Sequence, residues 1–127
     1  MTYATIYPTL TYGDAGTAID FLTEAFGFER HAVYNGDGGD VRHAELRLGN
    51  GLVMLGSANA SIPATKGRAG GIYVVVDDPD AHYERAVGAG AEVVRDLTDE
   101  DYGSRGYTAR DLEGNVWSFG TYRPEAA

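Results

Sequence analysis

The amino-acid sequence predicts an α+β fold: two tandem βαβββ modules whose strands form a curved mixed-sheet cup, with the helices on its outer face. Three observations carry that expectation. Set against itself at an offset of 64 residues, the chain matches Asp14 with Asp78, Ala25 with Ala89, Leu48 with Leu112, Leu55 with Phe119 and Gly56 with Gly120, the mark of a duplicated unit. The order of strand-like and helix-like stretches agrees between the two halves. Finally, 127 residues, 43% hydrophobic and 23% charged, suit one globular domain able to bury about two thirds of its unfolded surface. The modules are expected at 1–57 and 70–127, with a linker at 58–69.

In the first module, Tyr3 to Tyr12 reads as a strand. A helix follows over Thr17 to Phe26, because Ala18, Phe21, Leu22 and Ala25 recur at the spacings of one buried face, and Gly27 supplies its stop. Strands are expected at 28–34, 41–48 and 52–56, separated by the glycine-rich turn 35–40 and by Gly49-Asn50-Gly51. The second module repeats the scheme, with a strand at 71–76, a helix at 79–88, and strands near 91–97, 104–110 and 115–122. Asp78 is placed to cap that helix, with Pro79 in its first turn. Residues 57–69 are rich in Ser, Ala, Gly and Pro, as a connection should be, and 98–103 form an acidic loop carrying Tyr102.

Strand side chains alternate between two faces, so the helices must cover the consistently apolar set. In the first strand of the second module that set is Ile72, Val74 and Val76, which leaves Gly71, Tyr73 and Val75 opposite. The same offset turns Tyr7, Thr9 and Thr11 away from the first helix. If Leu48 pairs with Gly51, Glu45 lies opposite Met54 and His43 opposite Gly56. The face away from the helices then holds Tyr7, Thr9, His43, Glu45, Met54, Tyr73, Tyr107 and Ser118. Aromatic walls with a few polar atoms suit a concave ligand pocket, although Tyr and Thr also favour strands on a solvated face. Trp117 falls on the apolar side with Phe119 and reads as core.

Composition removes several function classes. The formal charge of −9 and pI of about 4.6 repel phosphate backbones and anionic lipid, so neither nucleic acid nor membrane is an expected partner. Without cysteine there is no disulfide, thiolate metal site or Cys nucleophile. The N-terminal residues lack the pattern of a leader and no apolar run reaches membrane-spanning length, so a cytoplasmic location is expected. Gly13 and Gly16 do not make a phosphate loop, because its glycine spacing and lysine are missing.

The chain resembles the vicinal oxygen chelate superfamily, also called the glyoxalase, bleomycin-resistance and dioxygenase superfamily. The resemblance is carried by Tyr7-Pro8-Thr9-Leu10-Thr11-Tyr12-Gly13-Asp14 before Ala18-Ile19-Asp20-Phe21-Leu22, by Phe26-Gly27-Phe28, and by His43-Ala44-Glu45-Leu46. Most specific are Tyr102-Gly103-Ser104-Arg105 and the stretch from Asp111-Leu112-Glu113-Gly114-Asn115 to Val116-Trp117-Ser118-Phe119. The resemblance implies that metal-dependent relatives place one ligand on each of four strands, at positions carried here onto Tyr7, Met54, Gly71 and Ser118. That set suits no divalent ion, since a thioether, a missing side chain and a neutral hydroxyl replace His, Gln or Glu. No metal and no cofactor are therefore expected. A substitute site would need His43 and Glu45 with His31 approaching from the neighbouring strand.

Two functions remain. The preferred one is a binding protein, resembling metal-free bleomycin-resistance members, that sequesters an aromatic or amphipathic antibiotic at a homodimer interface. Its expected ligand-binding residues are Tyr7, Thr9, His43, Glu45, Met54, Tyr73, Tyr102, Arg105, Tyr107 and Ser118. Arg105 can take a carboxylate or phenolate by paired hydrogen bonds, or pair with Asp99, Glu100 or Asp101. The alternative is a metal-free lyase, isomerase or hydrolase in which His43 and Glu45 act as acid and base. His82 reads as an ordinary, partly exposed helix residue.

Overall fold

The computed structural model describes residues 4–68 and 70–125. Tyr3 and Ala69, placed by the sequence in the first strand and the linker, lie outside them. The elements follow in the order β1 (Thr9–Tyr12), α1 (Ala15–Phe26), β2 (Glu29–Asn35), a 3₁₀ turn (Asp37–Gly39), β3 (Val41–Leu48) and β4 (Gly51–Ser57), then β5 (Gly71–Val75), α2 (Pro79–Gly88), β6 (Glu92–Asp99), β7 (Arg105–Arg110) and β8 (Val116–Gly120). They build two mixed sheets, β1-β4-β3-β2 and β5-β8-β7-β6, in which β1 and β5 run parallel to β4 and β8.

Both helices start the same way. Asp14 accepts a hydrogen bond from the Thr17 amide at 3.1 Å, Asp78 one from the Ala81 amide at 3.1 Å, and the two aspartates share φ −126°. Each bond satisfies one of the free N–H groups of a first turn. Such identical caps 64 positions apart are the duplication expressed in backbone conformation. Gly27 ends α1 at φ 85°, a conformation that favours glycine.

Besides shifts of one or two residues at other ends, such as the start of α1 at Ala15 and the end of β8 at Gly120, two differences have a local cause. The β1 ladder begins at Thr9 because Pro8 has no N–H to give, although its carbonyl still accepts from the Met54 amide at 2.9 Å. Further on, β6 runs to Asp99, where Thr98 and Asp99 pair with Gly106 and Arg105, so the acidic loop is shorter.

Apolar residues from both modules form one core. Buried on α1 are Ala15, Ala18, Ile19, Phe21, Leu22, Ala25 and Phe26, whereas α2 buries only Pro79 and Ala86. Phe26, at the end of α1, reaches the second sheet, with its ring 4.8 Å from Phe119 and 5.7 Å from Trp117. Three carbonyls in the last turn of α1 are taken up by α2: Arg85 donates to Thr23 and Glu24, and His82 Nε2 donates to Phe26 at 2.8 Å. The first module is therefore fastened to the second through the helix-facing side of both sheets.

A buried carboxylate closes that seam. Asp111, 7% exposed, accepts from the Tyr12 hydroxyl at 2.6 Å, from Trp117 Nε1 at 3.1 Å, and from the Glu113 and Asn115 amides at 3.0 Å. Glu113 in turn accepts from the Gly13 and Asp14 amides. Burial and the adjacent Asp111 charge push the Tyr12 phenol far above its ordinary range, so it remains a donor at every working pH.

Candidate functional site

With their helix-facing sides committed to one core, the two sheets turn their other faces outward. Among the described residues no strand of one sheet pairs with a strand of the other. On the first sheet, the register Thr9↔Met54↔Glu45 sets these three side chains in a row across β1, β4 and β3. The pairing of Leu48 with Gly51 that predicted Glu45 opposite Met54 is the pairing observed. On the second sheet, Tyr73↔Ser118↔Thr108 forms the corresponding row, closed by a 2.9 Å hydrogen bond between the Thr108 and Ser118 hydroxyls. Thr9 and Tyr73, like Met54 and Ser118, are 64 apart, so the repeat holds in the ladders of both sheets.

Tyr107 does not belong to that face. It is 2% exposed and lies on the helix side, 5.3 Å from the Phe119 ring, and its hydroxyl donates to His82 Nδ1 at 2.6 Å. The tautomer follows from the other ring nitrogen, which must carry a proton to meet the Phe26 carbonyl. A longer turn is the reason for the reversal: nine positions separate the partners Glu45 and Met54, but ten separate Thr108 and Ser118. One extra residue between β7 and β8 breaks the constant offset and turns every β7 side chain to the other face. Thr108, which the sequence reading passed over, takes the place assigned to Tyr107.

The remaining expected site residues divide into three groups. Thr9, His43, Glu45 and Met54 share the open face of the first sheet, with half-buried Tyr7 just ahead of β1. His43 Nε2 lies 2.9 Å from Glu45 Oε2, and the His43 ring stacks on Tyr34 at 6.2 Å. Tyr73 and Ser118 occupy the open face of the second sheet. Tyr73 is 43% exposed, its hydroxyl donates to the Tyr122 carbonyl at 2.7 Å, and its partial burial raises its pKa. Tyr102 stands nearby, edge-on to Tyr122 at 5.7 Å. Arg105 is occupied: Nε and Nη2 donate to Asp80 at 3.1 and 2.9 Å, and Nη1 lies 3.2 Å from Asp99. Asp99 is a partner the sequence offered, whereas Asp80 comes from the first turn of α2.

The four positions that the resemblance assigned to metal ligands provide the phenol of Tyr7, the thioether of Met54, no side chain at Gly71 and the hydroxyl of Ser118. These donors do not make a site for a hard or borderline divalent ion. What the two faces offer instead is aromatic area, hydroxyls and one carboxylate beside imidazole, groups that hold an organic molecule by stacking and hydrogen bonds. A separate groove of about 820 Å³ runs between the segment ahead of β1, the β3–β4 turn and β5. Of the expected site residues only Tyr73 lines it.

Tandem βαβββ modules with side-chain rows at equivalent strand positions define a paired-module protein of the vicinal oxygen chelate architecture. The chain belongs to the Glyoxalase/Bleomycin resistance protein/Dioxygenase superfamily, whose profile matches residues 5–119. It is 35% identical over 121 residues to the uncharacterized protein Rv0887c of Mycobacterium tuberculosis, covering 89% of this chain and 71% of that one. The uncharacterized protein Mb0911c of Mycobacterium bovis is also 35% identical, with 89% and 80% covered. Among solved structures, TioX from Micromonospora sp. ML1 superposes with TM-score 0.78 at 34% identity, covering 98% of this chain and all of TioX, 100%. The bleomycin-binding protein of bleomycin-producing Streptomyces verticillus, solved with copper(II)-bleomycin, shares the fold at TM-score 0.65 and 22% identity, with 97% and 99% covered.

Proposed function

We propose that this protein binds and sequesters an aromatic or amphipathic small molecule of antibiotic type, unchanged, in crevices completed by a second copy of the chain. The observation that carries the reading is the pair of outward rows, Thr9–Met54–Glu45 and Tyr73–Ser118–Thr108. Each is the wall of a ligand crevice, and the two walls of one chain face apart. A two-fold arrangement sets the first-sheet row of one copy against the second-sheet row of the other and makes two equal crevices. β5 supports it, because this edge strand carries Ile72, Tyr73, Val74 and Val75 without a charge or proline to block pairing. The structure solved with copper(II)-bleomycin shows a drug bound on the same fold. The absence of cysteine agrees with work in the reducing cytoplasm.

Thermal shift of EDTA-treated protein against bleomycin and planar intercalating antibiotics tests this reading. A bound drug at about a hundredfold excess over its Kd adds about 2.7 kcal/mol of stability and is recovered chemically intact. Stabilisation by none of them, or recovery of a converted product, contradicts it.

One observation favours a second reading. The 2.9 Å contact between His43 and Glu45 is the geometry of an acid–base pair on an open face. Under that reading the chain is a metal-free lyase, isomerase or hydrolase, and His43→Gln abolishes turnover. Under the binding reading the same variant keeps drug affinity within a few fold.

A further inference from the structure

Two of the three histidines of the chain gather around one carboxylate on the open face of the first sheet. β2 and β3 are out of step between Arg30 and Ala32, so that His31 is the extra residue of a bulge, a device that re-aims a side chain. Its Nε2 lies 3.9 Å from Glu45 Oε1, while His43 Nε2 lies 2.9 Å from Glu45 Oε2. Each carboxylate oxygen thus meets a different imidazole. Tyr34, stacked on His43, supports one ring from outside. Arg30 pairs with Asp20 and Arg47 with Glu29, and among the described residues the ion pairs of Glu45 are those with the two imidazoles. The histidine rings are 49% and 40% exposed and the Glu45 side chain 30%, enough for an ion to enter and for the rings to turn.

From this geometry we infer that His31, His43 and Glu45 form a binding site for a divalent transition-metal ion of the zinc type, on β2 and β3 and apart from the four positions treated above. Two imidazoles and a carboxylate are donors that zinc accepts, with water completing the shell. Ligand atoms about 2.0–2.1 Å from a tetrahedral ion stand about 3.3 Å from each other, and the two ion-free separations, 2.9 and 3.9 Å, bracket that value. Among the described residues no three such donors already converge on one point, because Glu45 divides its oxygens between the rings. An ion replaces those contacts by drawing all three groups inward. His82, the remaining histidine, is committed to Tyr107 and Phe26 inside the core and supplies no ligand.

Titration calorimetry of untagged, EDTA-treated protein with Zn²⁺ tests the site, with Mg²⁺ as the control for diffuse attraction to an acidic chain. One Zn²⁺ per chain is expected, with no comparable Mg²⁺ signal. Glu45→Gln, and separately His31→Ala, should each weaken binding by more than about tenfold, the least that losing even an outer partner of a ligand costs. Long-range ¹H–¹⁵N spectra of the wild-type protein give a reading independent of any variant: Zn²⁺ shifts the imidazole signals of His31 and His43 and leaves those of His82 in place. No Zn²⁺ binding, equal binding of Mg²⁺, unchanged affinity in both variants, or movement of the His82 signals instead would overturn the inference.

Discussion

Replacing Tyr12 by Phe removes a single oxygen from the seam between the modules. That oxygen donates at 2.6 Å to Asp111, and both side chains are buried, Tyr12 completely at 0% exposure. A hydrogen bond to a charged group contributes about 1.5–3 kcal/mol. Asp111 keeps its bonds from Trp117 and from the Glu113 and Asn115 amides, so its charge is not left bare and a loss near ~2 kcal/mol is expected. At roughly 4 °C per kcal/mol for a domain of this size, Tm should fall by ~8 °C. Trp117, the one tryptophan of the chain, is fully buried and bonded to the same carboxylate, so its fluorescence follows urea unfolding where the change is made. Asp111→Asn should cost more, because it turns an amide donor toward donors. In the double variant the two losses should fall well short of adding, as groups in direct contact do. A Tyr12→Phe loss below about 0.5 kcal/mol, or simple additivity, would refute the reasoning that this bond joins the modules.

Three further outcomes follow from the packing. Tyr107→Phe loses the bond to His82 and about 1 kcal/mol of stability, yet leaves drug affinity in calorimetry unchanged, because the side chain faces the core. The His82 pKa is lowered, chiefly by burial, with the hydrogen bond to the Phe26 carbonyl opposing the shift and the Arg85 charge adding to it. Above its ordinary value of about 6.5 neither folded nor unfolded chain carries that proton and stability is full. Below it the unfolded chain binds the proton more readily, so urea midpoints measured from pH 8 to pH 5 should fall with pH. Partial solvation keeps the slope below the limit of ~1.4 kcal/mol per pH unit for one group. Gly106→Ala sets a Cβ 2.4 Å from the Phe119 carbonyl and should destabilise by about 1–3 kcal/mol, read as a lower Tm.

Where local chemistry decides, the sequence was legible. The cap at Asp78, the glycine stop of α1, the β3–β4 register and the core position of Trp117 follow from neighbouring residues and alternation alone. The face of β7 was not legible from a constant offset, because a single added turn residue leaves no trace in hydrophobic pattern yet reverses a strand. Comparing the two turn lengths was the available signal. The role of Asp111 in the seam was hidden because its partner Tyr12 is 99 positions away. Long-range pairs also hid the commitment of Arg105 to Asp80 and of His82 to Phe26. The helices prescribe which face of each sheet stays open.

The central claim is that one chain holds two half-sites, joined to a second copy and occupied without a metal at the four equivalent strand positions. Native mass spectrometry of the EDTA-treated protein with bleomycin or another stabilising drug addresses it in one spectrum. The account predicts a dimer carrying two drug molecules of unaltered mass. A drug-bound monomer, a single drug per dimer at saturation, or a drug of changed mass would contradict it.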